Sequence, residues 1–227
     1  MILTYSRCDT VMQPFADSSI GTGPAILIAY LLPFAALYLW KRKTSARMLP
    51  LILGLFAYMS IILPRGIMRM GFADLEHTNV WLYYLFRGVL SAVFEEIIRY
   101  LVFRFPLQNY GEYTDAVSYG IGHGACEIML SHSVSGITAI DSMLITYDLI
   151  NGVAFSIAMS VIVFTGVQYT ESKKLLWTAI GLHTFMDFTK SFYFSGMMPI
   201  GMYMLLNPML AAVMCFIAYR IYKSYEY

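Results

Sequence analysis

The chain has 227 residues, of which 59% are hydrophobic and only 13% charged, and its formal net charge at pH 7 is +1. With a mean hydropathy of +0.63, this describes one polytopic membrane domain, residues 1–227. It excludes nucleic acid as a partner, because there is no basic patch or arginine-rich arm. Cys8, Cys126 and Cys215 are too far apart for a C-x-x-C metal pair and read as small buried hydrophobes.

Residues 1–23 form a polar segment with Asp9 and Asp17. They lack the basic start and apolar core of a cleavable signal, so the first span is expected to start insertion itself. An all-α helix bundle of about seven transmembrane spans is then predicted over residues 24–222. Pro24 to Trp40 is the first span and ends at Lys41-Arg42-Lys43, a cluster that should lie in the cytoplasm. Met48 to Leu63 is the second, stopping at Pro64 because proline removes a helical donor and clashes with the preceding turn. Arg65, Arg69, Asp74, Glu76, His77 and Asn79 then read as a polar loop on the opposite side. The third span is 80–104, the fourth 115–130, the fifth 140–164, the sixth 175–193 and the seventh 199–219. With the amino terminus out and the carboxyl terminus in, the inner side holds Lys41, Arg42, Lys43, Arg47, Arg104, Lys173, Lys174, Arg220 and Lys223. The outer side holds only Arg7, Arg65 and Arg69, which is the arrangement the positive-inside rule favours.

Three of these spans carry ionisable residues where each costs roughly 2.5–3.5 kcal/mol on insertion scales. In the third, VWLYYLFRGVLSAVFEEIIRYLVFR, Arg99 can meet Glu95 at i, i+4 or Glu96 at i, i+3. One carboxylate can thus be neutralised locally, and the other faces the bundle. Such a group suits general-base work, and the same residues could equally form an ion-pair network that ties helices together. In the fourth span His123 and Glu127 share one helical face, amid Gly120, Gly122, Gly124 and Ala125, small residues that let another backbone come close. In the sixth, His183 and Asp187 repeat that spacing. Either His–acid pair alone could be a hydrogen-bonded packing element. All three sets are best satisfied by converging on one polar cavity, which Asn151 of the fifth span could reach if it does not bridge two helices. Arg87 is expected to snorkel or to pair with Asp141 or Asp148.

Glu95-Glu96-Ile97-Ile98-Arg99 reads E-E-x-x-R, one residue short of E-E-x-x-x-R, Tyr119 to His123 fits an aromatic-x-x-x-H, and His183 to Asp187 fits H-x-x-x-N/D. In this order, on separate spans, the three elements resemble the CAAX-protease and bacteriocin-processing family of glutamic intramembrane endopeptidases. E-E-I-x-R-Y and G-x-G-H-G-x-x-E look most like its YhfC-like branch. The resemblance implies a bacterial plasma-membrane hydrolase, embedded in lipid, that cuts a peptide bond of a membrane-associated protein or peptide. It further implies that Glu95 with His123 activates water, that Glu96 or Arg99 orients that carboxylate, and that His183 with Asp187 stabilises the oxyanion. Tyr119, Glu127 and Asn151 would be secondary cavity residues. Because an ionised Asp187 cannot donate a hydrogen bond, its expected role is to hold His183 protonated. A zinc metallopeptidase is the alternative, with His123, His183 and Glu127, or Glu95 or Asp187 in place of Glu127, as ligands. A non-enzymatic proton-coupled transporter is another. Arg99, one turn from Glu95, opposes a second cation there, so no cofactor is expected.

Overall fold

The structure, a computed structural model, describes residues 38–44, 46–131, 139–170 and 173–225, together with Leu31 and Ala35. The polar amino-terminal segment, Cys8 and most of the predicted first span lie outside the described residues. Among the described residues, seven α-helices follow residue 47: α1 Met48–Met70, α2 Ala73–Thr78, α3 Val80–Arg104, α4 Tyr113–Ser131, α5 Ala139–Thr165, α6 Lys174–Phe194 and α7 Ile200–Tyr225. A π-helical turn, Gly166–Thr170, extends α5. The described residues are all-helical, as the sequence predicts. α1, α5 with its π turn, and α7 are long and apolar enough to cross a membrane. α3, α4 and α6 hold the site-bearing charges.

Helix association in lipid draws little from hydrophobic burial, because the acyl tails are as apolar as leucine. Close packing and polar contacts must hold the bundle instead. α4 is gripped on two sides through glycines. A Cβ on Gly122 would stand 2.1 Å from Leu51 O of α1, and one on Gly54 of α1 would stand 2.3 Å from Tyr119 O of α4. On its other side, a Cβ on Gly120 would be 2.5 Å from Ile157 Cα of α5. No side chain fits at these positions, so α4 lies backbone to backbone against both neighbours. α3 packs on α1 and α6, and α5 also packs on α7.

At the end where α4 begins, Arg47 donates Nε to Asp115 Oδ1 at 2.9 Å, pairs through Nη2 with Oδ2 and lies over the Tyr110 ring at 4.2 Å. Asp115 is fully buried, and this cation is what makes its burial tolerable. Asn79 caps α3 by accepting from Leu82 N at 3.1 Å. Outward-facing apolar side chains such as Phe56, Leu63 and Ile67 on α1, or Leu205, Met209 and Phe216 on α7, are exposed and form the surface that lipid would cover.

The second predicted span ends at the wrong place. α1 runs through Pro64 to Met70, so Arg65 and Arg69 are helical residues facing the bundle. The lost helical bond at Pro64 is offset by Arg65, whose side chain bonds Tyr58, Ser91 and Glu95 and holds the post-proline turn in register.

Candidate functional site

Glu95 and Glu96 of α3 turn in opposite directions within one buried cluster, and each is at most 1% exposed. Glu95 Oε1 accepts from Arg65 Nη1 at 2.6 Å and from Ser91 Oγ at 2.9 Å. Its other oxygen, Oε2, lies 3.2 Å from His123 Nε2 of α4 and 3.7 Å from His183 Nε2 of α6. Glu96 pairs with Arg99 one turn on, and its Oε1 stands 2.6 Å from His183 Nδ1. The helical spacing left open which acid takes Arg99. Arg65 decides it by claiming Glu95 from another helix.

Both imidazoles are walled by aromatic rings. Tyr119 stacks on His123 with centroids 5.8 Å apart, and Tyr58 meets the same ring edge-on at 5.4 Å. Phe155 meets His183 edge-on at 5.1 Å. With Nδ1 of His183 engaged by Glu96, its Nε2 faces Glu95 and Asp187.

Beside this cluster lies a cavity of about 290 Å³ between the end of α1, the start of α3 and the ends of α4 and α6. Its wall includes Arg65, Ser91, Glu127 and Asp187. The predicted polar residues are thus split. Glu95, Glu96, Arg99, His123 and His183 form a buried inner group, and Glu127 and Asp187 face the cavity. Arg65 and Ser91, which hold Glu95 Oε1, stand between the two.

Other sequence readings are revised here. His183 is engaged by Glu96, whereas its predicted partner Asp187 stands 3.8 Å away, beyond hydrogen-bonding reach. Glu127 makes no ion pair with either imidazole among the described residues, and the carboxylate that meets both is Glu95. Asn151 does not line the cavity; its amide donates to Tyr147 O of its own helix at 2.8 Å. Tyr119 serves as a ring wall behind His123 rather than a cavity residue. Asp148 lines the same cavity as Arg87, whereas the side chain of Asp141 lies outside the described residues. Arg65 is the residue that sequence reasoning missed. Its one signal was an arginine four residues from a buried-face Ile61 in an otherwise apolar helix.

The donor chemistry also bears on a metal. A zinc-type ion takes nitrogen and oxygen donors at about 2.0–2.1 Å in a tetrahedron, which sets neighbouring donors about 3.3 Å apart. The Glu95 Oε2 distances of 3.2 and 3.7 Å to the two Nε2 atoms match such edges. The carboxylate of Glu96 behind His183 Nδ1 is the outer partner that metal-binding histidines use. Among the described residues, no group of three or more His, Cys, Asp or Glu is arranged to hold a metal ion as it stands; what the cluster offers is the donor types and the spacing of Glu95 to each imidazole.

Comparison with known proteins agrees. The model of a family described as "YhfC intramembrane metalloprotease" matches residues 28–151, a stretch that holds Arg65, Glu95, Glu96, Arg99, His123 and Glu127. The chain is 30% identical over 120 residues to the "Uncharacterized membrane protein YhfC" of Bacillus subtilis (strain 168), a match covering 50% of this chain and 46% of that protein. The chain therefore aligns with about half the length of this relative. No solved structure matches. The family description overturns the expectation that no cofactor is used, and gives no support to the glutamic type. The expectation rested on Arg99, which in the structure pairs with Glu96 and donates Nη2 to Ser156 Oγ at 3.4 Å; the cation that holds Glu95 is Arg65. Because the match spans more than half of its 227 residues, the chain belongs to the YhfC intramembrane metalloprotease family.

Proposed function

We propose that the chain is an intramembrane peptidase of the bacterial plasma membrane. It hydrolyses a peptide bond of a membrane-associated protein or peptide at the cluster of Glu95, His123 and His183. The observation that carries this reading is that two imidazole Nε2 atoms face one carboxylate oxygen, buried between three helices and next to a polar cavity. His123, His183 and Glu95 would hold the metal ion. Bound there, such an ion supplies Lewis acidity toward a carbonyl oxygen and toward water.

The chain's own groups do the rest. Arg65 and Ser91 occupy Glu95 Oε1 and so leave Oε2 directed at the histidines. Glu96 fixes the ring of His183 through Nδ1, and Arg99 compensates the charge of Glu96. Asp187 and Glu127 are, with Asp148, the acids that line the cavity, and Asp148 is engaged by Tyr203. Asp187 and Glu127 are the groups placed to take a proton from water arriving on that side and to return it to the leaving amine. The low-dielectric wall of α4 and α5 strengthens each of these interactions.

The test combines elemental analysis with a cleavage assay on purified protein in detergent. About one divalent ion per chain is expected. His123→Ala and Glu95→Gln should lose both the ion and cleavage. Asp187→Asn should keep the ion and lower cleavage by roughly 10²–10⁴-fold, the scale of one acid–base group. Full cleavage by Glu95→Gln would sink the assignment.

A further inference from the structure

The cavity wall holds more positive charge than the inner cluster uses. Of its cations, Arg65 is taken by Glu95. Glu127, Asp148 and Asp187 share the wall, and Asp148 accepts from Tyr203 Oη at 2.6 Å. Arg69 and Arg87, like Lys190, form no ion pair with these acids among the described residues. Arg69 Nε is moreover buried without any hydrogen-bond acceptor among them. A buried donor without an acceptor is costly, and Arg65 and Arg87 act on Arg69 as like charges. An arrangement of this kind is relieved by an anion.

We propose that Arg69 and Arg87 form a subsite for a carboxylate of the peptide substrate, either the α-carboxylate of a chain end or an acidic side chain. That the occupant is a peptide rests on the peptidase reading; that it is anionic rests on the two arginines. The planar guanidinium fork matches a carboxylate in two parallel hydrogen bonds. Position supports the same assignment. Arg69 lies four residues beyond Arg65 on α1, and Arg87 lies four residues before Ser91 on α3, so each stands about one helical turn from a residue that holds Glu95. From Arg87 to Glu95 is eight residues of α3, or about 12 Å of rise. An extended peptide covers that distance in about three to four residues. The cavity, at about 290 Å³, is at the lower end of ligand sites and suits a short extended segment. The carboxylate is therefore placed a few residues from the bond that is cut.

The test measures binding rather than cleavage, so its outcome does not depend on the peptidase reading. Three fluorescein-labelled forms of one short apolar peptide are titrated against the full chain in detergent, with fluorescence polarisation as the readout. One form ends in a free carboxylate, the second in an amide, and the third is the amide with one internal Glu. At least one acidic form should bind about tenfold or more tighter than the neutral amide, the scale of one charge-assisted hydrogen bond. Which acidic form wins assigns the source of the carboxylate. Arg69→Gln with Arg87→Gln should abolish the preference, whereas Arg69→Lys with Arg87→Lys should keep part of it. Should the Gln variant fail to fold, added salt must weaken acidic-peptide binding to the unaltered chain and spare the amide. Equal binding of all three forms, an unchanged preference in a folded Gln variant, or no salt dependence would overturn the proposal. So would a Gln variant that loses capture of phosphatidylglycerol nanodiscs and keeps its peptide preference, since the arginines would then serve lipid.

Discussion

Arg65→Met removes a cation that joins two helices at the buried face of Glu95. Methionine keeps much of the aliphatic volume, so the change falls on charge and hydrogen bonds. Three contacts are lost: to Glu95 Oε1 at 2.6 Å, to Tyr58 Oη at 2.7 Å and to Ser91 Oγ at 2.9 Å. Glu95 is 1% exposed and the Arg65 side chain 12% exposed, so water replaces little of what is removed. Breaking one side of a buried pair costs about 3–5 kcal/mol, mostly because the remaining charge is left uncompensated. Equilibrium unfolding in mixed micelles should report a loss of that size. The double variant Arg65→Met with Glu95→Gln should recover part of it, because the orphaned charge is gone. The coupling should sit toward the upper end of the roughly 0.5–3 kcal/mol found for contacting residues. A loss below about 1 kcal/mol, as for solvent-exposed pairs, together with negligible coupling, would refute the claim that Arg65 sets the charge state and aim of Glu95.

Further outcomes follow from the same geometry. Glu96→Gln loosens the ring of His183, so metal affinity measured by competition with a chromogenic chelator should fall about 10–100-fold, the usual effect of an outer-shell partner; unchanged affinity would remove Glu96 from that role. Gly122→Ala places a Cβ at 2.1 Å from Leu51 O, whereas Gly66→Ala on α1 meets nothing within 4 Å. Thermal unfolding should show the first destabilised by about 1–3 kcal/mol and the second unaffected or stabilised by up to about 1 kcal/mol.

Much of the fold was legible because lipid penalises error. The predicted third span coincides with α3 at both ends, Val80 and Arg104, since a long apolar run bounded by a capping Asn79 has few alternative readings. The convergence of α3, α4 and α6 could be inferred for the same reason: Glu95, His123 and His183 each need a polar partner, and only the others supply it. Arg65 was not legible. Pro64 reads as a stop in any single sequence, and what carries the helix past it is a set of bonds to α3 some 30 residues away. Nor could spacing decide whether Arg99 serves Glu95 or Glu96, because both intervals lie on one helical face. The cofactor expectation weighed only Arg99, one turn away, whereas the partner that a buried carboxylate takes is settled by tertiary contacts that spacing does not show.

The contrast between α5 and α7 bears on how the bundle is assembled. The two apolar segments, Leu144–Thr170 and Ile200–Tyr225, are comparable in length and in hydropathy, yet 78% of an apolar 18-residue stretch of the first is enclosed by the protein and only 22% of one in the second. α5 is thus a helix that can reside alone in lipid and ends with little contact with it. α3, with three ionisable residues midway, is the reverse: it is costly in lipid alone and stable only once Arg65 and His183 arrive. Insertion and assembly are therefore distinct stages for this chain. The later stage closes charged helices around α5, so the cluster of Glu95, His123 and His183 is complete only after α6, well down the chain, has been delivered.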